Sequence, residues 1–109
     1  MGTQQPSLTE VDRLIHEPSR SVILAILVAI PSADFLYLQR ETGLTKGNLT
    51  IHLSKLEKAG YIRIEKTYRG KVPLTLCQIS REGREAFDDY RKQLKRFIAG
   101  TDQSENQPE

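Results

Sequence analysis

Between Leu44 and Val72 the hydrophobic period of this chain changes once, from that of a helix to that of a strand. Leu49, Leu53 and Leu56 recur at spacings of four and three, which puts them on one face of a helix running from Thr45 to Gly60. Tyr61 to Thr67 then alternates apolar and polar side chains, as a half-buried strand does. Tyr68-Arg69-Gly70-Lys71 reads as a turn, and Val72 to Ile79 returns as a second strand. Pro73 lacks an N–H, which confines it to the start or the edge of that strand. Lys46, Asn48, Thr50, Ile51, Ser54, Lys55 and Lys58 fall on or near the remaining faces of the helix. Short polar groups and lysines on an exposed helix are what a major groove accepts. The basic hairpin behind them offers a second point of contact with a phosphate backbone.

The flanking sequence reads as mainly helical. Leu8, Val11, Leu14 and Ile15 carry helical periodicity over residues 8–16, which Glu17-Pro18 interrupts. Ser19 is placed to cap a helix from Arg20 to Ile30, apolar on nearly all sides and therefore expected at the centre of the core. Pro31-Ser32 ends it, Asp34-Phe35 reads as a short strand or a turn, and Leu36 to Thr42 as a short helix stopped by Gly43. Thr45 caps the next helix, so two short helices meet across a tight glycine-containing turn, the helix-turn-helix signature. Ser80 caps a long last helix, Arg81 to about Ala99. The expectation is five helices and one hairpin in a single domain over residues 8–99, with a flexible N-terminus (1–7) and a disordered polar tail (100–109).

Charge is uneven. Residues 44–72 hold seven basic and two acidic side chains, net +5; the whole chain is +2, so the rest carries −3. Cationic concentration on one helix and hairpin is the electrostatic footprint of a nucleic-acid reader, although a solvated helix with incidental lysines would carry the same charge. The longest apolar run, Val22 to Ile30, is far short of the roughly 20 residues of a membrane span. The single cysteine, Cys77, cannot form an internal disulfide and fits a reducing cytoplasm. One cysteine and two histidines make a transition-metal site improbable. No paired carboxylates, nucleophile–base constellation or phosphate loop points to an enzyme, and nothing implies a cofactor.

The run Gly47-Asn48-Leu49-Thr50-Ile51-His52-Leu53-Ser54-Lys55-Leu56-Glu57-Lys58-Ala59-Gly60-Tyr61-Ile62, with the element order around it, resembles the winged helix-turn-helix transcriptional regulators. It is most similar to the small archaeal and bacterial proteins related to the MarR and ArsR groups. Pro18-Ser19-Arg20, Ile23-Leu24, Thr42-Gly43-Leu44-Thr45 and the strand end Leu76, Ile79-Ser80, Gly83-Arg84 extend the resemblance over roughly residues 8 to 98. The resemblance implies a recognition helix at 45–59, a wing tip at 67–72, and a homodimer on a pseudo-palindromic operator in double-stranded DNA. The helix before the recognition helix holds no cysteine pair of the kind metal-sensing relatives use, and no effector is indicated.

Roles follow residue by residue. Asn48 can pair bidentately with adenine, Lys46 can reach guanine acceptors, and Thr50 and Ile51 can touch a thymine methyl. Gly47 lets the backbone approach closely, and Thr45 opens a helix start whose N–H groups attract phosphate. Ser54, Lys55 and Lys58 suit phosphate better than bases. At the hairpin tip Arg69 and Lys71 flank Gly70, with Tyr68 either binding phosphate or shielding the hairpin. His52 is read as structural and partly buried, His16 as a helix-end cation, and Cys77 as an apolar filler. Phe87, Tyr90, Leu94, Phe97 and Ile98 form a stripe on the last helix. Paired with Leu8, Val11, Leu14 and Ile15, it is expected to make the dimer interface. A protein-interaction module on the same fold is the alternative, and it would more often show an apolar patch where this chain shows +5.

Overall fold

The computed structural model describes residues 11–105. Its elements are α1 (Pro18–Ala29), β1 (Ser32–Asp34), α2 (Phe35–Thr42), α3 (Lys46–Lys58), β2 (Ile62–Arg69), β3 (Val72–Ile79) and α4 (Arg81–Glu105). The strands form one antiparallel sheet of order β1-β3-β2. Residues 1–10, Leu8 and the expected N-terminal stretch 1–7 among them, and residues 106–109 lie outside the described residues.

Four helices are described where five were expected. Residues 12–16 make a turn rather than a helix. The Asp12 carboxylate accepts from the N–H groups of Leu14 (2.9 Å) and Ile15 (3.3 Å). A short acidic side chain bonding its own backbone in this way competes with helix formation. α1 starts at Pro18, not Arg20, and its cap is Glu17, whose carboxylate accepts from Arg20 N at 2.8 Å. Proline is well suited to a first helical position, where its missing N–H costs nothing. α1 is also not buried all round. Ile23, Leu24 and Leu27 enter the core, while Val22, and Ile30 just past the helix end, face solvent. At the other end α4 runs on through Gly100 to Glu105, past the expected tail boundary, and Thr101 Oγ1 donates to Phe97 O at 3.0 Å.

The reader segment forms as its pattern requires. Asp34 caps α2 by accepting from Tyr37 N at 2.7 Å, and Thr45 caps α3 by accepting from Asn48 N at 3.1 Å. Leu49, Leu53 and Leu56 are all buried. They pack in one cluster with Leu38, Ile23, Leu24 and Leu27, and with Ile62, Cys77 and Ile79 from the sheet. Arg69 pairs with Val72, so the hairpin turns on two residues alone, Gly70 and Lys71. Gly70 has φ 65° and Lys71 a negative φ, the requirement of a type II′ turn with glycine first. β1 pairs only with Leu76–Gln78, so Pro73 sits where β3 has an open edge.

The start of α4 is clamped to the junction of α3 and β2. Ser80 N donates to Tyr61 O at 2.9 Å, and Ser80 Oγ donates to Gly60 O at 2.6 Å while accepting from Gly83 N at 2.9 Å. Gly83 lies so close that a Cβ there would stand 2.1 Å from Tyr61 O. The long helix, the reader helix and the hairpin therefore share one seam.

Candidate nucleic-acid interface

With its leucines inward, α3 turns the opposite face to solvent. Lys46, Gly47, Asn48, Thr50, Ile51, Lys55 and Lys58 are exposed there, and Ser54 is half-buried. Thr45 is exposed as well, with its hydroxyl oxygen engaged as the cap. Ile51 stands out at 53% exposure. Its place on the outward face keeps it out of the core. Thr50 Oγ1 donates to Lys46 O at 2.8 Å, which commits its proton to the helix. Tyr68, Arg69 and Lys71 are exposed at the hairpin tip. Among the described residues none of Lys46, Lys55, Lys58, Lys66, Arg69 and Lys71 forms an ion pair; the pairs present join His52 to Glu17, Arg81 to Glu85, and Arg91 and Lys92 to Asp88. The cationic face is therefore not neutralised from within.

α3 is held against the body from behind. Arg20 Nε donates to Leu14 O at 2.6 Å, and its Nη1 lies 3.1 Å from His52 Nδ1. Glu17 Oε1 lies 3.8 Å from the same imidazole nitrogen. His52 thus ties the middle of α3 to the start of α1, the structural role expected of it. Tyr61 donates to Asp12 Oδ2 at 2.6 Å. Burial first, then that hydrogen bond and the Asp12 charge, push its hydroxyl up to about 12. Cys77 is buried, and burial, with Glu57 and Asp34 adding to it, pushes its thiol up to about 11. A thiol held protonated at neutral pH is a poor nucleophile, in keeping with a filler.

The expected dimer residues separate into two groups. Val11, Ile15 and Tyr90 are buried in the chain's own core, and His16 Nδ1 lies 3.0 Å from the Tyr90 hydroxyl. Side chains buried in their own chain's core have next to no surface to give to a partner, so the expectation is corrected for these three. Leu14, Phe87 and Leu94 are half-buried against the same core. Phe97 (37%) and Ile98 (56%) continue the stripe into solvent.

A cleft of about 750 Å³ separates α3 from the hairpin. Lys46, Thr50 and Ser54 line one side, Lys66 and Thr75 the other, and Gln39 and Leu36 border it from α2. Lys66 and Thr75 are cross-strand partners. Neither they nor Gln39 was singled out from the sequence. The signal was present, because Lys66 lies two residues past Ile64 and four past Ile62 and so shares their face. No group of acidic, histidine or cysteine side chains that could hold a metal occurs among the described residues, and no helix among them is long and apolar enough to cross a membrane.

Residues 20–98 match the family model described as a winged helix DNA-binding domain. An uncharacterized protein of Methanocaldococcus jannaschii is 37% identical over 79 residues, which cover 72% of this chain and 85% of that protein. The structure of a transcriptional regulator homologue from Pyrococcus horikoshii OT3 superposes with a TM-score of 0.82 at 30% identity, over 87% of this chain and 96% of that one. NadR, solved in complex with 4-hydroxyphenylacetate, shares the fold with a TM-score of 0.65 at 15% identity, over 95% of this chain and 84% of its own.

Proposed function

The chain belongs to the winged helix DNA-binding domain family, and on that premise we propose that it is a sequence-specific regulator of transcription. In this reading it is a homodimer of the MarR/ArsR-like kind, acts in the cytoplasm and represses by occupying a promoter. The observation that carries the reading is the outward face of α3. It combines an exposed Asn48, an exposed Ile51 and lysines that form no ion pair among the described residues beside a glycine-tipped cationic hairpin. The N-terminal half of such a helix meets base edges. Asn48 and Lys46 suit adenine and guanine, and Ile51 and the Thr50 methyl suit thymine. Lys55, Lys58 and Ser54 suit phosphate, and Arg69, Lys71 and Tyr68 suit the neighbouring groove and its backbone.

Dimerisation falls to the distal part of α4. Phe97 and Ile98 are exposed in line with Leu94 and Phe87, and the four make a stripe that a second copy of the helix can cover. A twofold axis there would set two reader helices one DNA turn apart, ~34 Å.

Titration of duplex DNA over a salt series tests the reading. Affinity should fall steeply as salt rises, because each phosphate contact releases counterions. Arg69→Ala should weaken all sequences alike and flatten the salt dependence by about 0.9 in log–log slope. Asn48→Ala should instead relax preference at particular bases among sites selected from a random pool. A salt-independent wild type, or an Asn48→Ala variant that loses affinity equally for every sequence, would refute the assignment.

A further inference from the structure

Behind the cationic face, one nitrogen of α3 has two neighbours of opposite charge. His52 Nδ1 lies 3.1 Å from Arg20 Nη1 and 3.8 Å from Glu17 Oε1. A guanidinium can only donate, so Nδ1 accepts, and the proton of the neutral ring sits on Nε2. Among the described residues no hydrogen bond engages Nε2, and the side chain keeps 17% of its surface exposed. Both neighbours are themselves held. Arg20 Nε donates to Leu14 O at 2.6 Å, and Glu17 Oε1 accepts from Arg20 N at 2.8 Å. Neither can leave the imidazole without loosening the start of α1.

The other groups around the ring are accounted for. Among the described residues no second carboxylate pairs with His52. On the turn before α1, Asp12 is engaged by Tyr61 and by the N–H groups of Leu14 and Ile15, and His16 lies against Tyr90. α2 and β2 meet α3 through buried apolar side chains. On α3 itself Asn48, four residues before, and Lys55, three after, share the flank of His52.

A proton arriving on this ring has one place to go, Nδ1. There it displaces the Arg20 N–H and turns toward Glu17. The tether of α3 passes from the arginine to the glutamate, and the helix gains a positive charge. In the free chain that exchange sets two cations side by side, with one carboxylate to offset them. Beside a duplex the phosphates add negative potential at the same spot and favour the charged ring. Resting on the DNA-binding reading above, we propose that His52 couples DNA binding to proton uptake, with Arg20 and Glu17 as the positioning residues that set the balance. By reciprocity, a duplex that draws a proton onto the ring is bound more tightly when protons are abundant. Affinity therefore rises as pH falls.

The test measures affinity for one selected duplex between about pH 8 and about pH 5.5, the range in which an imidazole changes charge. Wild-type affinity should rise by up to about eightfold at ~0.1 M salt, and the salt slope should steepen by up to about 0.9, the share of one added cation. Calorimetry in buffers of different ionisation enthalpy should show proton uptake on binding. His52→Gln, which can still accept from Arg20, should hold the wild-type affinity of about pH 8 throughout. The chain has one other histidine, and His16→Gln should leave the rise in place. Glu17→Gln should move the midpoint of the rise to lower pH, and Arg20→Gln should move it to higher pH. Loss of folding alone would not shift the two in opposite directions. A salt-dependent wild type that is flat with pH, a rise that survives His52→Gln or vanishes with His16→Gln, or midpoints that shift the same way would overturn the coupling and leave the regulator reading standing. A wild type with no salt-dependent binding would remove both.

Discussion

Replacing Gly83 by alanine sets two effects of opposite sign against each other. On helix propensity alone the change should stabilise α4 by about 0.8–1.0 kcal/mol. The structure opposes it, because the new Cβ would stand 2.1 Å from Tyr61 O, 2.8 Å from its carbonyl carbon and 2.9 Å from its Cα. These are backbone atoms at the seam of α3 and β2 and cannot swing aside. Clearing the overlap requires a separation of more than an ångström there. That movement loosens the bonds from Ser80 to Tyr61 O and Gly60 O. Overpacking of this kind costs about 1–3 kcal/mol, and each loosened hydrogen bond about 1 kcal/mol more. The clash wins, with a net loss of about 2–4 kcal/mol. For a domain of this size the loss lowers the melting temperature by roughly 10–30 °C. Thermal unfolding followed by circular dichroism measures it, with Gly47→Ala as the control, since a Cβ at Gly47 meets nothing within 4 Å. Gly47→Ala should melt slightly higher than wild type. A Gly83→Ala variant that also melts higher would refute the argument that α4 is fixed by backbone contact.

Ile98→Glu, alone or with Phe97→Glu, should sediment as a monomer with an unchanged circular dichroism spectrum; a persistent dimer would place the interface elsewhere. Tyr90→Glu is not a substitute, because Tyr90 is a core residue of the single chain and its loss would unfold the protein. Tyr61 keeps its proton in the folded state up to about 12, against 10.0 for the free group. Between those values the unfolded chain has released a proton that the folded chain retains, so Tyr61 contributes stability below pH 10 that is lost as pH rises through that window. Denaturant titrations should show wild type losing more stability across it than Tyr61→Phe, and parallel losses would sink the assignment.

The reader helix was legible because its leucine spacing, its threonine cap and the switch to alternation all point to one answer. Errors arose where a local side-chain bond or a distant partner overrode periodicity. Asp12 bonds its own backbone, so residues 12–16 turn where Val11, Leu14 and Ile15 suggested helix. Tyr90 sits on an apolar stripe whether it faces a second subunit or His16, and periodicity does not distinguish the two. Glu17 as a cap was hidden behind a serine of better propensity, although Pro18 in the first helical position marks the true start. Lys66 and Thr75 were missed because the hairpin was read for its tip. The alternation that begins at Ile62 carries through to them, and the cleft they line exists only once β3 folds back on β2.

The clamp at Ser80 has a mechanical consequence. Helix α4 is a stiff rod some 37 Å long at 1.5 Å per residue, and it is pinned at its base to the hinge line between helix and hairpin. Phe87, Tyr90 and Leu94 pack the same rod onto the core, so a load on its exposed end is shared between that packing and the clamp. The exposed end of the rod therefore moves with the reader helix and the hairpin as one body.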